Sequence, residues 1–305
     1  MNILETNNLT KSYSDRLIVN KLNIGVKKGG IYVLVGCNGA GKTTTLRMIT
    51  GLLKPTCGET IIFGEKLNRN NMRMFQRIGA LIGKPSFYEN LTAQENLEII
   101  ASLRGTHSKE CVYNALKLVD LQYENKKKVR ELSCGMMQRL GIAFALMHEP
   151  ELVILDEPVN SIDPIGIQEM RFIIHNLCKE RNVTFLLTSH ILSEVEQIAD
   201  RVGILHKGNL LKEASIDDIR KNNRNYIRMK VSSVTRSIPI LENKLGISDF
   251  EVEDNDVLKI YEIYRNTEKI NRVLNENNIG VSEIYMSKGN LEEYFNNVTG
   301  GNIVD

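Results

Sequence analysis

The sequence has no tryptophan, only five cysteines and six prolines in 305 residues, and almost no charge imbalance, with 39 Lys and Arg against 37 Asp and Glu. The five thiols (Cys37, Cys57, Cys111, Cys134 and Cys178) are odd in number, lie well apart and form no Cys-x-x-Cys pair. That excludes a disulfide scaffold and a zinc ribbon, and it points to reduced cysteines in a cytosolic protein. No apolar run reaches the ~18–20 residues of a membrane span, and the opening MNILETNNLTKSYSDR lacks the apolar core of a signal peptide. Neither a span nor export by that route is expected. A net charge of +2 is too small to imply a nucleic-acid partner, and the basic stretch from Arg220 to Lys230 reads as a solvated linker. What remains is an ordinary globular composition, 42% hydrophobic and 25% charged, with length for one large domain or one domain and an appendage.

Ile31-Tyr-Val-Leu-Val35 is an apolar run rich in β-branched residues, bounded by Gly29-Gly30 and Gly36, as a buried strand requires. The segment from Thr43 to Leu53 then reads as a helix. Leu152-Val-Ile-Leu155 and Thr184-Phe-Leu-Leu-Thr188 are two further apolar runs, separated by helical spacing at Ile167, Met170, Ile174 and Leu177. Strands alternating with helices predict an α/β fold with a mainly parallel sheet covered on both faces. Residues 92–147 read as helical: Thr92 and Glu95 form a capping-box pattern, and Met136, Leu140, Ala143, Phe144 and Met147 make an apolar stripe. A helical subdomain over about 85–150 follows. From about residue 215 the texture shifts toward Asn, Lys and Glu. Its periodicity predicts strand 226–231, helix 238–244, a hairpin over 249–262 around Asp254-Asn255-Asp256, helix 266–277 and strand 281–286. That order suits a small ferredoxin-like α+β unit, giving expected domains of 1–215 and 216–305. Asn290-Leu-Glu-Glu293 reads as the cap of a last helix.

Gly36-Cys-Asn-Gly-Ala-Gly-Lys-Thr43 matches Gly-x4-Gly-Lys-Thr between a buried strand and a helix, where a phosphate loop belongs. Its glycines let backbone N–H groups turn inward around a polyphosphate and the helix N-terminus adds partial positive charge. Lys42 reaches the terminal phosphates, and Thr43 offers a hydroxyl to Mg²⁺. Leu152-Val-Ile-Leu-Asp156-Glu157 ends an apolar strand in two carboxylates. One can anchor the magnesium shell and the next can polarise a water for in-line attack. The guanine-reading Asn-Lys-x-Asp of GTPases is missing, since Asn20-Lys-Leu-Asn23 ends in Asn and precedes the phosphate loop.

Leu132-Ser133-Cys134-Gly135-Met136-Met-Gln138-Arg139 opens the striped helix shortly before the acidic strand. With it the chain resembles an ATP-binding cassette (ABC) subunit, whose signature Leu-Ser-Gly-Gly-Gln stands in this place. Tyr13 in Lys-Ser-Tyr-Ser matches the aromatic that stacks on adenine, Ser161-Ile-Asp163 the loop after the acidic strand, and Thr188-Ser-His190 the switch histidine. The likeness runs from about residue 2 to residue 215. It is nearest to the single-cassette ATPases of bacitracin- and lantibiotic-resistance exporters, whose flavour shows in Pro85-Ser-Phe-Tyr88, Leu91-Thr-Ala-Gln-Glu-Asn-Leu97 and Leu291-Glu-Glu-Tyr-Phe295.

The resemblance implies that ATP lies on Gly36, Cys37, Asn38, Gly39, Ala40, Gly41, Lys42, Thr43 and Thr44 with Tyr13 on its base, and that Thr43 and Asp156 serve Mg²⁺. Glu157 would be the base or water-orienting residue and His190 the γ-phosphate sensor. Two cassettes would close head to tail, Ser133 and Gly135 of one completing the site of the other, with Asp163 linking the two sites. A second copy of the chain and a separate integral membrane permease are the implied partners, with no nucleic acid, and the implied place is the cytoplasmic face of the cell membrane. A soluble regulatory ABC-type ATPase, or a nucleotide-responsive binding module without transport, is the alternative. The sequence departs from the family in three places: Cys134 replaces the first signature glycine, Cys37 stands for the usual Pro or Ser, and Gly83 occupies the position of a Gln or Glu that touches Mg²⁺. The other histidines (His107, His148, His175, His206) read as surface or core residues.

Overall fold

A computed structural model describes residues 1–68, 70–105, 109–160, 162–222, 225–262, 266–287 and 291–300. His107, Ser161 and Asn290 lie outside them. The chain opens with β1 (Asn2–Tyr13), β2 (Arg16–Leu22), β3 (Gly25–Lys27) and β4 (Ile31–Val35), then α1 (Lys42–Ile49), β5 (Cys57–Ile62), β6 (Glu65–Lys66), α2 (Met72–Phe75) and β7 (Ile78–Leu81). Helices α3 (Ala93–Leu103), α4 (Lys109–Leu118) and α5 (Cys134–Leu146) precede β8 (Leu152–Leu155), α6 (Pro164–Arg181), β9 (Thr184–Ser189), α7 (Leu192–Ile198), β10 (Arg201–His206) and β11 (Asn209–Ser215). Then come α8 (Ile216–Asn222), β12 (Tyr226–Val231), α9 (Val234–Leu245), β13 (Phe250–Asp254), β14 (Val257–Ile260), α10 (Thr267–Glu276), β15 (Val281–Ser287) and α11 (Leu291–Thr299). Contacts divide the chain into two units, residues 1–216 with the chain end from Val298, and Asp217–Asn297.

In the first unit β4, β8 and β9 are buried at every residue, which is why they read as unbroken apolar runs. They lie in a six-stranded sheet of order β11-β10-β4-β9-β8-β7, parallel except for β11 at its edge. A smaller antiparallel sheet has the order β2-β1-β5-β6, with β3 paired to β1. One apolar cluster joins residues of both sheets and α1, among them Leu9, Leu22, Leu34, Leu46, Ile62 and Leu186. The parallel strands all end toward the same edge, and the loops after β4, β8 and β9 gather there, the usual ligand edge of an open α/β sheet. Between β7 and β8 stand α3, α4 and α5. The first begins with the expected capping box: Thr92 Oγ1 accepts from Glu95 N–H at 3.1 Å, and the Glu95 carboxylate accepts from Thr92 N–H at 2.7 Å.

The second unit runs β12-α9-β13-β14-α10-β15, and its antiparallel sheet has the order β13-β14-β12-β15. Numbered within the unit, that is 2-3-1-4, the ferredoxin-like arrangement. Ile227, Met229, Leu258 and Ile260 from its strands pack with Leu241 and Leu274 of the two helices.

Three expectations need correction. The helix expected over 43–53 ends at Ile49, because Thr50 caps it and Gly51 turns to φ +72°. The helix expected to start at 238 begins at Val234. Pro239 falls inside it, and the Ser237 hydroxyl bonds Ser233 O at 2.7 Å in the turn before. The basic stretch read as a linker includes the end of α8 and all of β12 but its last residue, a central strand, where Arg228 pairs with Glu253 at 2.8 Å and Lys230 with Asp256 at 3.3 Å.

Candidate nucleotide-binding and hydrolysis site

The loop from Gly36 to Gly41 leaves β4 and enters α1 through two glycines in the left-handed region, Gly39 at φ +79° and Gly41 at φ +106°. A side chain at Gly41 would meet Ile18 O at 2.8 Å, and one at Gly36 would meet Leu205 O at 2.3 Å, so neighbouring backbone excludes a Cβ at both. The loop is braced by Gly208 N–H on Ala40 O at 3.0 Å and by Gly36 N–H on Ser189 O at 3.3 Å. Inside it Lys42 is buried. Its ammonium donates to Gly36 O at 2.6 Å and Cys37 O at 3.2 Å, and it lies 3.1 Å from Glu157 Oε1.

Glu157 comes from the end of β8 and adopts φ +49°, a conformation that non-glycine residues hold only when their surroundings enforce it. Beside it stands Thr188 of β9. Its hydroxyl accepts from Glu157 N–H at 2.9 Å and donates to Asp156 Oδ1 at 2.7 Å. The other oxygen of Asp156 accepts from Thr43 Oγ1 at 2.8 Å. His190, two residues after Thr188, places Nδ1 2.8 Å from Glu157 Oε2. A single chain of contacts therefore links Lys42, Thr43, Asp156, Thr188, Glu157 and His190 across three adjacent parallel strands.

Other expected site residues stand apart from this cluster. Ser133 is the N-cap of α5, its hydroxyl accepting from Met136 N–H at 3.2 Å, and Gly135 lies in the first turn. Asp163 is the N-cap of α6, ahead of Pro164. Among the described residues none of the three hydrogen-bonds to Lys42 or the two carboxylates. Tyr13 is half exposed at the end of β1, with the Lys11 ammonium 4.8 Å from its ring centre. Asn38 is exposed, and Thr43 and Thr44 are half-buried. Gly83 adopts φ +77° with open space where a side chain would project, so this position supplies no side-chain oxygen. Thr188 is the residue that sequence reading named only as part of a motif. Its signal was a hydroxyl at the end of an otherwise apolar run.

The chain is similar to known proteins along its length. The ABC transporter family model matches residues 19–160. The bacitracin transport ATP-binding protein BcrA of Bacillus licheniformis is 48% identical over 302 residues, covering 99% of each chain. The chain belongs to the ABC transporter ATP-binding family. BcrA of Enterococcus faecalis is 45% identical over 98% of this chain and 97% of its own, and the lantibiotic transport ATP-binding protein SrtF of Streptococcus pyogenes is 42% identical over 70% and 92%. A solved ATP-binding subunit of an ABC transporter superposes with a TM-score of 0.64 at 30% identity, over 72% of this chain and 92% of that one. A dimeric ATP-binding cassette in a post-hydrolysis state, bound to ADP and Pi, gives 0.65 at 25% identity, over 70% and 98%. As a member of this family the chain is a nucleotide-binding cassette and an ATPase. Among the described residues no helix is long and apolar enough to cross a membrane.

Proposed function

We propose that this cassette hydrolyses ATP to drive a separate membrane permease that exports bacitracin- or lantibiotic-type peptides, and so confers resistance or immunity to them. The observation that carries the reading is the joined cluster of Lys42, Thr43, Asp156, Thr188, Glu157 and His190, together with likeness to bacitracin transport proteins along the whole chain. The phosphates of ATP lie on the backbone N–H groups from Gly36 to Thr44, and Tyr13 stacks on the base. Lys42 bonds two carbonyls of the loop and lies beside Glu157. Its ammonium serves the phosphates held on the loop, and Glu157 serves the attacking water as base or orienting group. His190 donates Nδ1–H to Glu157, and it bonds a phosphate oxygen through Nε2 when that nitrogen carries a proton as well.

The hydroxyl of Thr43 and the carboxylate of Asp156 are hard oxygen donors side by side, which suits Mg²⁺. Bound there, Mg²⁺ supplies charge neutralisation on the phosphates. Gly83 adds no ligand. Two copies pair so that Ser133 and Gly135 of one reach the nucleotide held by the other, with Asp163 between the sites, and the chain works at the cytoplasmic face of the membrane beside its permease.

The test is peptide resistance in cells expressing the chain with the multi-span protein encoded beside it. Wild type is expected to raise bacitracin or lantibiotic tolerance and Glu157→Gln to abolish the rise at equal protein level. Equal tolerance with both forms would overturn the proposed role.

A further inference from the structure

Ser133 caps α5 and Asp163 caps α6, and the first turns of these two helices meet at one corner of the cassette. Buried Ile162 lies between them. Its Cγ2 is 3.8 Å from where a Cβ of Gly135 would stand, and the same methyl closes on Gly166 in α6. A Cβ at Gly166 would also come within 2.9 Å of Asp163 Oδ1 and 3.2 Å of Arg139 Nη2. The Asp163 carboxylate and the Arg139 guanidinium therefore both border the one spot where Gly166 has no side chain. Only 15% of the Arg139 side chain is exposed, and it ion-pairs with Glu169, one turn further along α6. Asp163 makes no side-chain bond to its own helix, so its carboxylate is not spent on capping.

We propose that Arg139 is a positioning residue: it locks the Ser133 end of α5 to the Asp163 end of α6, so that both meet the partner copy's nucleotide as one piece. This role presupposes the head-to-tail pairing proposed above. Its basis is the burial and reach of the guanidinium. A cation this far from water is retained where it is paired, and here the pair runs from one helix to the other. The planar fork of Arg139 spans from Gly166 to Glu169, a full turn of α6, which fixes the two helices in rotation as well as in distance. Ile162 supplies the apolar half of the same joint. Without the lock, Ser133 and Asp163 stand on separate helix starts, and a shift of either misplaces its group at the partner's site.

Mixing variants tests it, because in a head-to-tail pair each site takes Lys42 and Glu157 from one copy and Ser133 and Asp163 from the other. Arg139→Met removes the guanidinium, and Gly166→Ala pushes a methyl into the same joint. Each is expected to bind ATP as wild type does, read by equilibrium dialysis, and to turn it over about 10–100-fold more slowly. Lys42→Ala is defective in the other half of the site. Mixed with it in equal amounts, either variant is expected to recover about a quarter of the wild-type rate, since half the pairs are mixed and each of these has one complete site. Ser133→Arg mixed with Lys42→Ala is the reference and should gain equally. Full turnover by Arg139→Met alone, loss of ATP binding in both joint variants, or no gain from them where the reference gains would overturn the role of Arg139 and leave the pairing standing. No gain in the reference would overturn the pairing, and this role with it.

Discussion

The hydroxyl of Thr188 donates to Asp156 and accepts from the backbone of Glu157, so one side chain holds both carboxylates of the site in register. Thr188→Val keeps the branched shape of a strand residue and removes both bonds. Supporting partners of this kind are typically worth ~10–100-fold in activity. The expected outcome is a fall in kcat of about that size with KM for ATP little changed, and recovery in Thr188→Ser; steady-state ATPase assays read both. An unchanged kcat in the valine variant would remove Thr188 from the account. Much of this site is legible in sequence because phosphate binding demands glycines at fixed spacing before Lys42 and Thr43, and because two carboxylates end an apolar strand. Thr188 is less legible, since a threonine in a strand reads first as a β-former. The contact of Lys42 with Glu157 is not legible at all, because it joins residues far apart in the chain.

At the scale of elements, β4, β8 and β9 are read from sequence with their limits nearly right because burial on both faces leaves no polar position to blur them. β1 and β2 escape that reading. Their residues are mixed polar and apolar, and their pairing is broken by register shifts between Leu9 and Lys11 and between Lys11 and Ser12, next to Asn8 at φ +49°. β7 is held from behind by the loop after α5, where His148 Nε2 bonds Ile78 O at 3.0 Å. Burial first, and then the charge of Arg104, lower the His148 pKa from 6.5 to about 4. The folded chain therefore keeps this imidazole neutral while the unfolded chain takes up a proton, so stability falls as pH drops from 6.5 toward about 4. His148→Gln is expected to flatten that fall. Urea midpoints at neutral pH and midway between the two values measure it, and an equal loss in both proteins would contradict the assignment.

At the scale of the whole molecule, contacts divide the chain into residues 1–216 with the chain end from Val298 and Asp217–Asn297, and the sheet of the second unit has the order β13-β14-β12-β15. The pairing of edges was not legible, since strand order in a sheet depends on contacts distant in sequence. What joins the levels is the parallel sheet, which brings the ends of β4, β8 and β9 to one place and so assembles Lys42, Glu157 and His190 from three separate segments. The most direct test of that assembly is MgATP turnover by the purified chain, with ATP binding measured on the same samples of wild type and Glu157→Gln. The account predicts that both bind ATP and that turnover in the variant is lower by about 100-fold or more. Turnover in Glu157→Gln at the wild-type rate would contradict it.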